Sequence, residues 1–252
     1  MTPATTAAAG RPAPRGRIDK RQAILDAAFA VFARRGYAQA CVQEIAEEAG
    51  VAKPTVYNHL SDKENLFRHA VVAAADLVMA ENLAVVERLR DPGDDLRAGL
   101  EDVGYRLLKV CCGQRASALR ALTYAQLATF PDLAEVVQGR TAGRLGEALA
   151  DRFARLALAG RLRAADPARA AEQFLALLTG PMEARSRLGT RAVSAAETRE
   201  VAGAAVDTFL YAYGAMDQGP PASHCDPVAT RAAVIGSSAV MSSSSSAGDN
   251  AS

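Results

Sequence analysis

The segment Val51-Ala-Lys-Pro-Thr-Val-Tyr-Asn-His-Leu60 places Lys53, Pro54 and Thr55 where a helix would begin, with Tyr57, Asn58 and His59 in the turn that follows. Together they present an ammonium, two hydroxyls, an amide and an imidazole. Such groups bond phosphate oxygens, and amides and hydroxyls also reach base edges. A helix buried on all sides would strand so many donors and acceptors. The stretch is therefore either a polar buried turn or a surface built to touch something.

Other chemistry finds little support. Three histidines, one of them in the C-terminal tail, leave little for catalysis, and no phosphate-binding glycine loop or Ser/His/Asp arrangement is readable. An enzyme is not expected. The four cysteines, Cys41, Cys111, Cys112 and Cys225, form no C-x-x-C pair and no His/Cys cluster. That excludes a disulfide framework and a zinc pattern, so no metal or cofactor is expected, and a reducing cytoplasm is. Cys111-Cys112 can serve redox or metal sensing, but neighbours on a helix point about 100° apart, and buried structural cysteines are common.

Of 252 residues, 50% are hydrophobic and only 5% aromatic, with Ala and Leu dominating. That favours packed helices over sheets. The net charge of +1 predicts no polyanionic partner by itself. Residues 1–70, however, hold ten Lys/Arg against seven Asp/Glu, a net +3, whereas the remainder holds nineteen against twenty-one, a net −2. The basic end contains the polar decapeptide. No apolar run reaches the ~20 residues of a membrane span, and the N-terminus lacks the apolar stretch of a signal peptide.

The elements that must position these residues are helical throughout. Residues 1–17 form a basic, disordered arm. An amphipathic helix runs from Asp19 to about Arg35, stopped by Gly36. A short helix covers about Val42 to Ala49, ended by Gly50. Pro54 suits the first turn of the next helix. Ser61 or Asp62 then caps a long helix from Lys63 to about Leu89. Asp91-Pro92-Gly93-Asp94 is a break, and further helices are expected over 95–112, 115–129, 132–159, 167–188 and 195–216. Pro181 should kink the fourth of these. Residues 217–252 form a low-complexity, disordered tail. The expected fold is all-α, with a helical head at 18–70 and a larger helical domain at 71–216.

Ala46, Gly50 and Val56 carry a further signal. A small residue, a glycine in the turn and an apolar anchor let two short helices cross closely, and Ile45, Ala49 and Val51 complete the small core. This is helix-turn-helix spacing, in which the second helix enters the DNA major groove. Arg11, Arg15 and Arg17 suit a minor-groove arm equally as they suit a solvated leader.

The run Arg21–Val72 resembles the DNA-binding domain of the TetR family of transcriptional regulators. The matching residues are Ile24-Leu25, Ala27-Ala28, Phe32 and Gly36-Tyr37, then Ile45-Ala46 and Ala49-Gly50-Val51, then Thr55-Val56-Tyr57 and His59-Leu60, then Ser61-Asp62-Lys63-Glu64 and Leu66-Phe67. Phe130–Val137 and Ala170–Gly180 resemble the subgroup with an AefR-like C-terminal region. The resemblance implies a homodimer, a palindromic double-stranded DNA operator and a small-molecule effector. It puts Gln43 at a base or phosphate, Lys53, Pro54 and Thr55 at the base-reading tip, Tyr57 and His59 at phosphates with Asn58 between them, and Lys63 at a phosphate. Thr55 can instead cap its helix, Tyr57 can pack on the crossing and His59 can be an inert surface residue. Cys41 and Ala52 stand where the family prefers capping hydroxyls.

Tyr105, Leu107, Leu108, Leu122, Tyr124, Leu127 and Phe130 can line an effector cavity or fill a solid core. With few charges beside them, an apolar or aromatic effector is expected. Phe174, Leu177, Leu178 and Met182 form one apolar stripe; Val201, Val206, Phe209, Leu210 and Tyr213 form another. Paired with their copies, the two helices would make a four-helix dimer interface. The expected function is a homodimeric repressor released by its effector; the alternatives are an activator and an interaction module.

Overall fold

A computed structural model describes residues 14–187 and 191–215, with side chains from Asp19 onward. Ten α-helices carry the regular structure among these residues. They are α1 (Pro14–Gln39), α2 (Val42–Glu48), α3 (Lys53–His59), α4 (Lys63–Val86), α5 (Leu96–Cys111), α6 (Gln114–Ala125), α7 (Pro131–Gln138), α8 (Arg144–Leu158), α9 (Pro167–Ser186) and α10 (Ala195–Tyr213). A 3-10 turn (Glu87–Arg90) prolongs α4, and a π-helical segment (Gly139–Gly143) joins α7 to α8. The fold is all-α, as composition and periodicity indicate.

Local chemistry explains most boundaries. Gly36, at φ 73° and ψ 164°, breaks α1 one turn before its end, in a conformation that costs a β-carbon-bearing residue strain. At its other end α1 begins at Pro14, inside the stretch expected to be disordered. Arg11, the side chains of Arg15 and Arg17, and the tail lie outside the described residues. Asp62 rather than Ser61 caps α4: its carboxylate accepts the Asn65 N–H at 2.7 Å. α9 runs continuously through Pro181 rather than breaking there.

Two helices expected to be continuous are not. The one expected over 115–129 ends at Ala125, and the chain turns before Phe130. The one expected over 132–159 is divided by the π segment. These breaks let one stretch of chain serve two cores. The first core joins Ile24, Phe32, Ile45, Val56 and Phe67 of the head to Ala116, Leu119 and Leu122 of α6 and Leu133 and Val137 of α7. The second joins Leu100, Leu107 and Leu108 of α5 to Leu149 and Phe153 of α8, Phe174 of α9 and Phe209 of α10.

α4 belongs to both, through Leu66 to Val78 in the first and Val86 in the second. By length and composition alone, the stretch Lys63–Arg90 is apolar enough to cross a membrane. Ten residues of α4 are instead buried among its neighbours.

The second core corrects the expected dimer stripe. Phe174, Leu178, Met182, Val206 and Phe209 are all buried within the single chain, at 3% exposure or less. Phe153, Phe174 and Phe209 form a ring cluster with centroids 5.0–5.6 Å apart. Periodicity identified the buried face correctly, but its partner is the protomer's own interior. Leu177, Leu210 and Tyr213 are half-buried at its margin.

The head is attached to the rest through an aromatic junction. Phe130 meets Tyr37 at 5.1 Å and Phe67 at 5.4 Å, and Arg68 covers its ring at 4.8 Å while pairing with Asp132. Truncating Phe130 to Ala removes a buried ring shared by both domains. Phe130→Ala should cost about 3–5 kcal/mol, read from urea unfolding.

Candidate nucleic-acid interface

The head builds its surface around a buried hinge. Ile45 and Ala46 of α2 and Val56 of α3 are at most 1% exposed, so the two helices cross in close contact. Between them Gly50 takes φ 64°, and the Val51 N–H donates to the Ala46 carbonyl at 2.9 Å. Neither helix has a side-chain cap at its N-terminus: Cys41 and Ala52 occupy the cap positions without a capping bond. α2 is tied to α1 by ion pairs. Arg34 of α1 pairs with Glu44 and Glu48 of α2 at 3.0 and 2.7 Å, and Arg35 also reaches Glu44. Being solvent-exposed, these pairs orient more than they stabilise.

With Val56 facing inward, the opposite face of α3 is left to solvent. Lys53, Pro54, Tyr57 and Asn58 are exposed, and Thr55 and His59 are half-buried. Among the described residues the side chains of Lys53, Thr55, Asn58 and His59 make no hydrogen bond or ion pair. Thr55 does not cap: its backbone N–H goes to the Ala52 carbonyl and its hydroxyl is unengaged. Tyr57 is 44% exposed, so it does not fill the crossing. Gln43, on the exposed face of α2, donates to Glu47 at 2.8 Å.

Lys63 is partly engaged within the head. Its ammonium donates to the Ala38 carbonyl at 2.9 Å and lies 5.0 Å from the Tyr37 ring centre. It fastens α4 to the turn after Gly36, which leaves at most two of its three N–H donors for an outside partner. The Tyr37 phenol, desolvated by the same junction, is held above its ordinary value.

A second concave feature lies between the two cores. A cavity of about 550 Å³ is bounded by Val78, Leu119 and Val137 on the head side and by Leu107, Leu108 and Leu178 on the other. Of the residues expected to line it, Leu107, Leu108 and Tyr124 do so. Tyr105 does not: it lies between the Lys109 and Arg199 cations, on the far side of α5. Leu127, in the turn after α6, is 45% exposed, Phe130 is committed to the aromatic junction, and Leu122 is buried in the first core. The lining is also less apolar than expected, because Asn82, Arg120, Glu135 and Thr179 contribute to it.

Two family models match this chain. Residues 24–70 match the bacterial regulatory proteins of the tetR family, and residues 98–215 match the AefR-like transcriptional repressor C-terminal domain. A solved TetR-family transcriptional regulator from Mesorhizobium loti MAFF303099 superposes with a TM-score of 0.74, at 32% identity, over 79% of this chain and 98% of that one. The chain belongs to the TetR family of transcriptional regulators. Curated relatives include the transcriptional activator FasR of Mycolicibacterium smegmatis, 34% identical over 36% of this chain and 46% of that protein. The transcriptional repressor AcnR of Corynebacterium diphtheriae is 41% identical over 29% of this chain and 39% of its own. The chain thus spans about half the length of the curated relatives it matches, or less.

For a TetR-family head the sequence signals were strong, because each is local. Sequence reasoning missed Asn82, Arg120 and Thr179 as cavity residues. Each is a single polar residue on a helix, and only the packing shows that it faces inward. Lys20 and Arg21 were also passed over; neither has an ion-pair partner among the described residues, unlike Arg34 and Arg35.

The Asn65 N–H, and then the Ser61 hydroxyl, hold the Asp62 carboxyl below its ordinary value. The stabilisation this gives is complete above the unfolded value of about 4 and is lost as pH falls through the lower folded value. Asp62→Ala should therefore lower the urea midpoint at pH 7, with the gap to the parent protein closing below about pH 4.

Proposed function

We propose that this chain is a cytoplasmic, homodimeric DNA-binding regulator, and not an enzyme. Its α3 reads a palindromic operator, and a small molecule in the cavity releases it. The observation that carries this reading is the α3 face: exposed Lys53, Tyr57 and Asn58, with half-buried Thr55 beside them, have no side-chain hydrogen-bond or ion-pair partner among the described residues. Repression is the favoured sign, since the C-terminal part matches an AefR-like repressor domain, although the curated relatives include an activator.

The dimer face is revised from the apolar stripe to the opposite side of the same helices. On α9, Ala176, Gly180 and Ala184 are exposed at four-residue intervals beside Pro181. On α10, Ala204, Thr208 and Ala212 repeat the spacing beside Tyr211, which is 89% exposed. Small residues let helices of two copies approach closely, and two-fold pairing would set the heads ~34–36 Å apart for successive major grooves. A bulky charge should prevent this approach, so Ala212→Arg is expected to sediment as a monomer while keeping its helical circular dichroism.

Release follows from where the cavity lies. A ligand there touches α6 and α7, which share a core with the head, and α5 and α9, which do not. It shifts the head only to the extent that it binds one arrangement more tightly than the other.

The deciding experiment is selection of bound sites from random double-stranded DNA. A two-fold symmetric site is expected; no enrichment at low salt would reject the DNA-binding reading. On the selected site, Thr55→Ala should relax preference at one or two half-site positions by about 1–3 kcal/mol. Tyr57→Phe should weaken all sequences alike, by about fivefold for one lost neutral hydrogen bond. An unchanged Thr55→Ala preference, or a sequence-selective Tyr57→Phe effect, would reverse the two assignments.

A further inference from the structure

The cavity holds a nucleophile that the proposed regulatory role does not require. Cys111, the last residue of α5, lines it. From α6, Arg120 donates to the Cys111 carbonyl oxygen at 2.8 Å and stands 3.5 Å from the Cys111 sulfur. Its remaining polar contact is the Ser117 hydroxyl at 3.4 Å, so among the described residues the guanidinium has no carboxylate partner. Cys112, at the C-terminal end of α5, is the neighbour of Cys111 in sequence but does not line the cavity. The adjacent Cys112 thiol, and then the Arg120 charge, hold the Cys111 thiol below its ordinary value, against burial and the Glu183 carboxylate of α9. Of the two thiols, Cys111 is the one that lines the cavity and lies against the Arg120 guanidinium.

A second group points into the same space. Asn82 of α4 is 8% exposed, lines the cavity and makes no hydrogen bond among the described residues. Its amide is open to the cavity rather than sealed off, since no buried side-chain nitrogen or oxygen among the described residues lacks a partner, and so it can bond a ligand there. The ligand implied by this wall carries a hydrogen-bonding oxygen on an otherwise apolar body and meets a nucleophilic sulfur.

We propose that the cavity captures soft carbon electrophiles, the α,β-unsaturated carbonyl compounds, by covalent addition to Cys111. The sulfur lone pair forms a bond to the β-carbon, and the C=C π pair moves to give an enolate. The enolate oxygen is met by the N–H donors of Asn82 and Arg120. The α-carbon then takes back, through solvent, the proton the thiol had lost. No group leaves and no oxidant or reductant is consumed.

The consequence for regulation rests on the DNA-binding reading above. α6 carries Arg120 on its cavity side and Ala116, Leu119 and Leu122 in the core shared with α1 and α4. An adduct on Cys111 occupies the space against Arg120, separates it from the sulfur and moves α6 against the head. Adduct formation therefore lowers DNA affinity.

The test uses the full chain with N-ethylmaleimide as the probe, at pH 7 under native conditions, with peptide mass spectrometry along a time course. An ordinary thiol is only a few per cent thiolate at this pH, so a lowered value raises the reactive fraction by about tenfold. Cys111 should label about tenfold faster than Cys41, which is more exposed but lies outside the cavity. Arg120→Gln should slow Cys111 severalfold and Arg120→Lys should restore most of the rate, with the Cys41 rate unchanged as an internal report of folding. Labelling of Cys41 before Cys111, or an Arg120→Gln rate equal to the parent, would overturn the capture site.

In a Cys41→Ser, Cys225→Ser background, labelling should weaken binding to the selected operator at least tenfold, and adding Cys111→Ser should abolish the effect. Full labelling of Cys111 with unchanged DNA affinity would overturn the regulatory consequence. A protein that selects no DNA site would instead reject the DNA-binding reading, with capture at Cys111 still measured directly on the free protein.

Discussion

α4 has to satisfy two interiors at once, and the rest of the molecule is arranged around that requirement. Its first four turns pack against the head, where Phe67 meets Phe32, Tyr37 and Phe130 with ring centres 4.9–5.4 Å apart. Its last turn belongs to the core that α5, α8, α9 and α10 enclose. Dense interiors transmit displacement rather than absorb it. A helix embedded in both cannot shift in one without disturbing the other. The head is therefore a lobe of one continuous packing problem, held by apolar and aromatic contact with a few exposed ion pairs at its margins.

The two cores do not meet flush. Where their surfaces diverge, α6 and α7 on one side and α5 and α9 on the other leave the cavity. Its walls combine aliphatic side chains with the Arg120 guanidinium and the Asn82 amide, two hydrogen-bonding groups that border the space. This is the place where adding matter costs least, because no well-packed contact need be broken. It is also where addition acts on both cores. The outer face of α9 and α10 instead exposes small residues, Ala176, Gly180, Ala184, Ala204 and Ala212.

How much of this was legible in the sequence depends on the range of the interaction. Gly36, Gly50, Pro54 and Asp62 act within a few residues of themselves, and each marks its turn or helix start as local chemistry requires. The helix-turn-helix could be recognised from Ala46, Gly50 and Val56 because its small core is nearly contiguous. The stripe of Phe174, Leu178, Val206 and Phe209 was visible as an apolar face, but periodicity gives only the direction of burial and not the identity of the partner. Two helices offered two candidate faces, and the larger side chains went to the protomer's own interior. Tyr105, Leu127 and Phe130 show the same limit. Their apolar character was plain, while their destinations were set by where α6 stops and by cations on other helices.

The π-helical segment at Gly139–Gly143 bears on how the chain can change over time. It loosens the usual winding between α7 and α8, between Leu133 and Val137, which point into one core, and Leu149, Phe153 and Leu156, which point into the other. A deletion within α7 or α8 would rotate everything downstream by about 100° and turn the Phe153 ring out of its cluster, whereas one within the wider π turn would restore ordinary winding with the phase roughly kept. Substitutions at Thr141 or Ala142 leave the phase intact while altering a wall of the cavity.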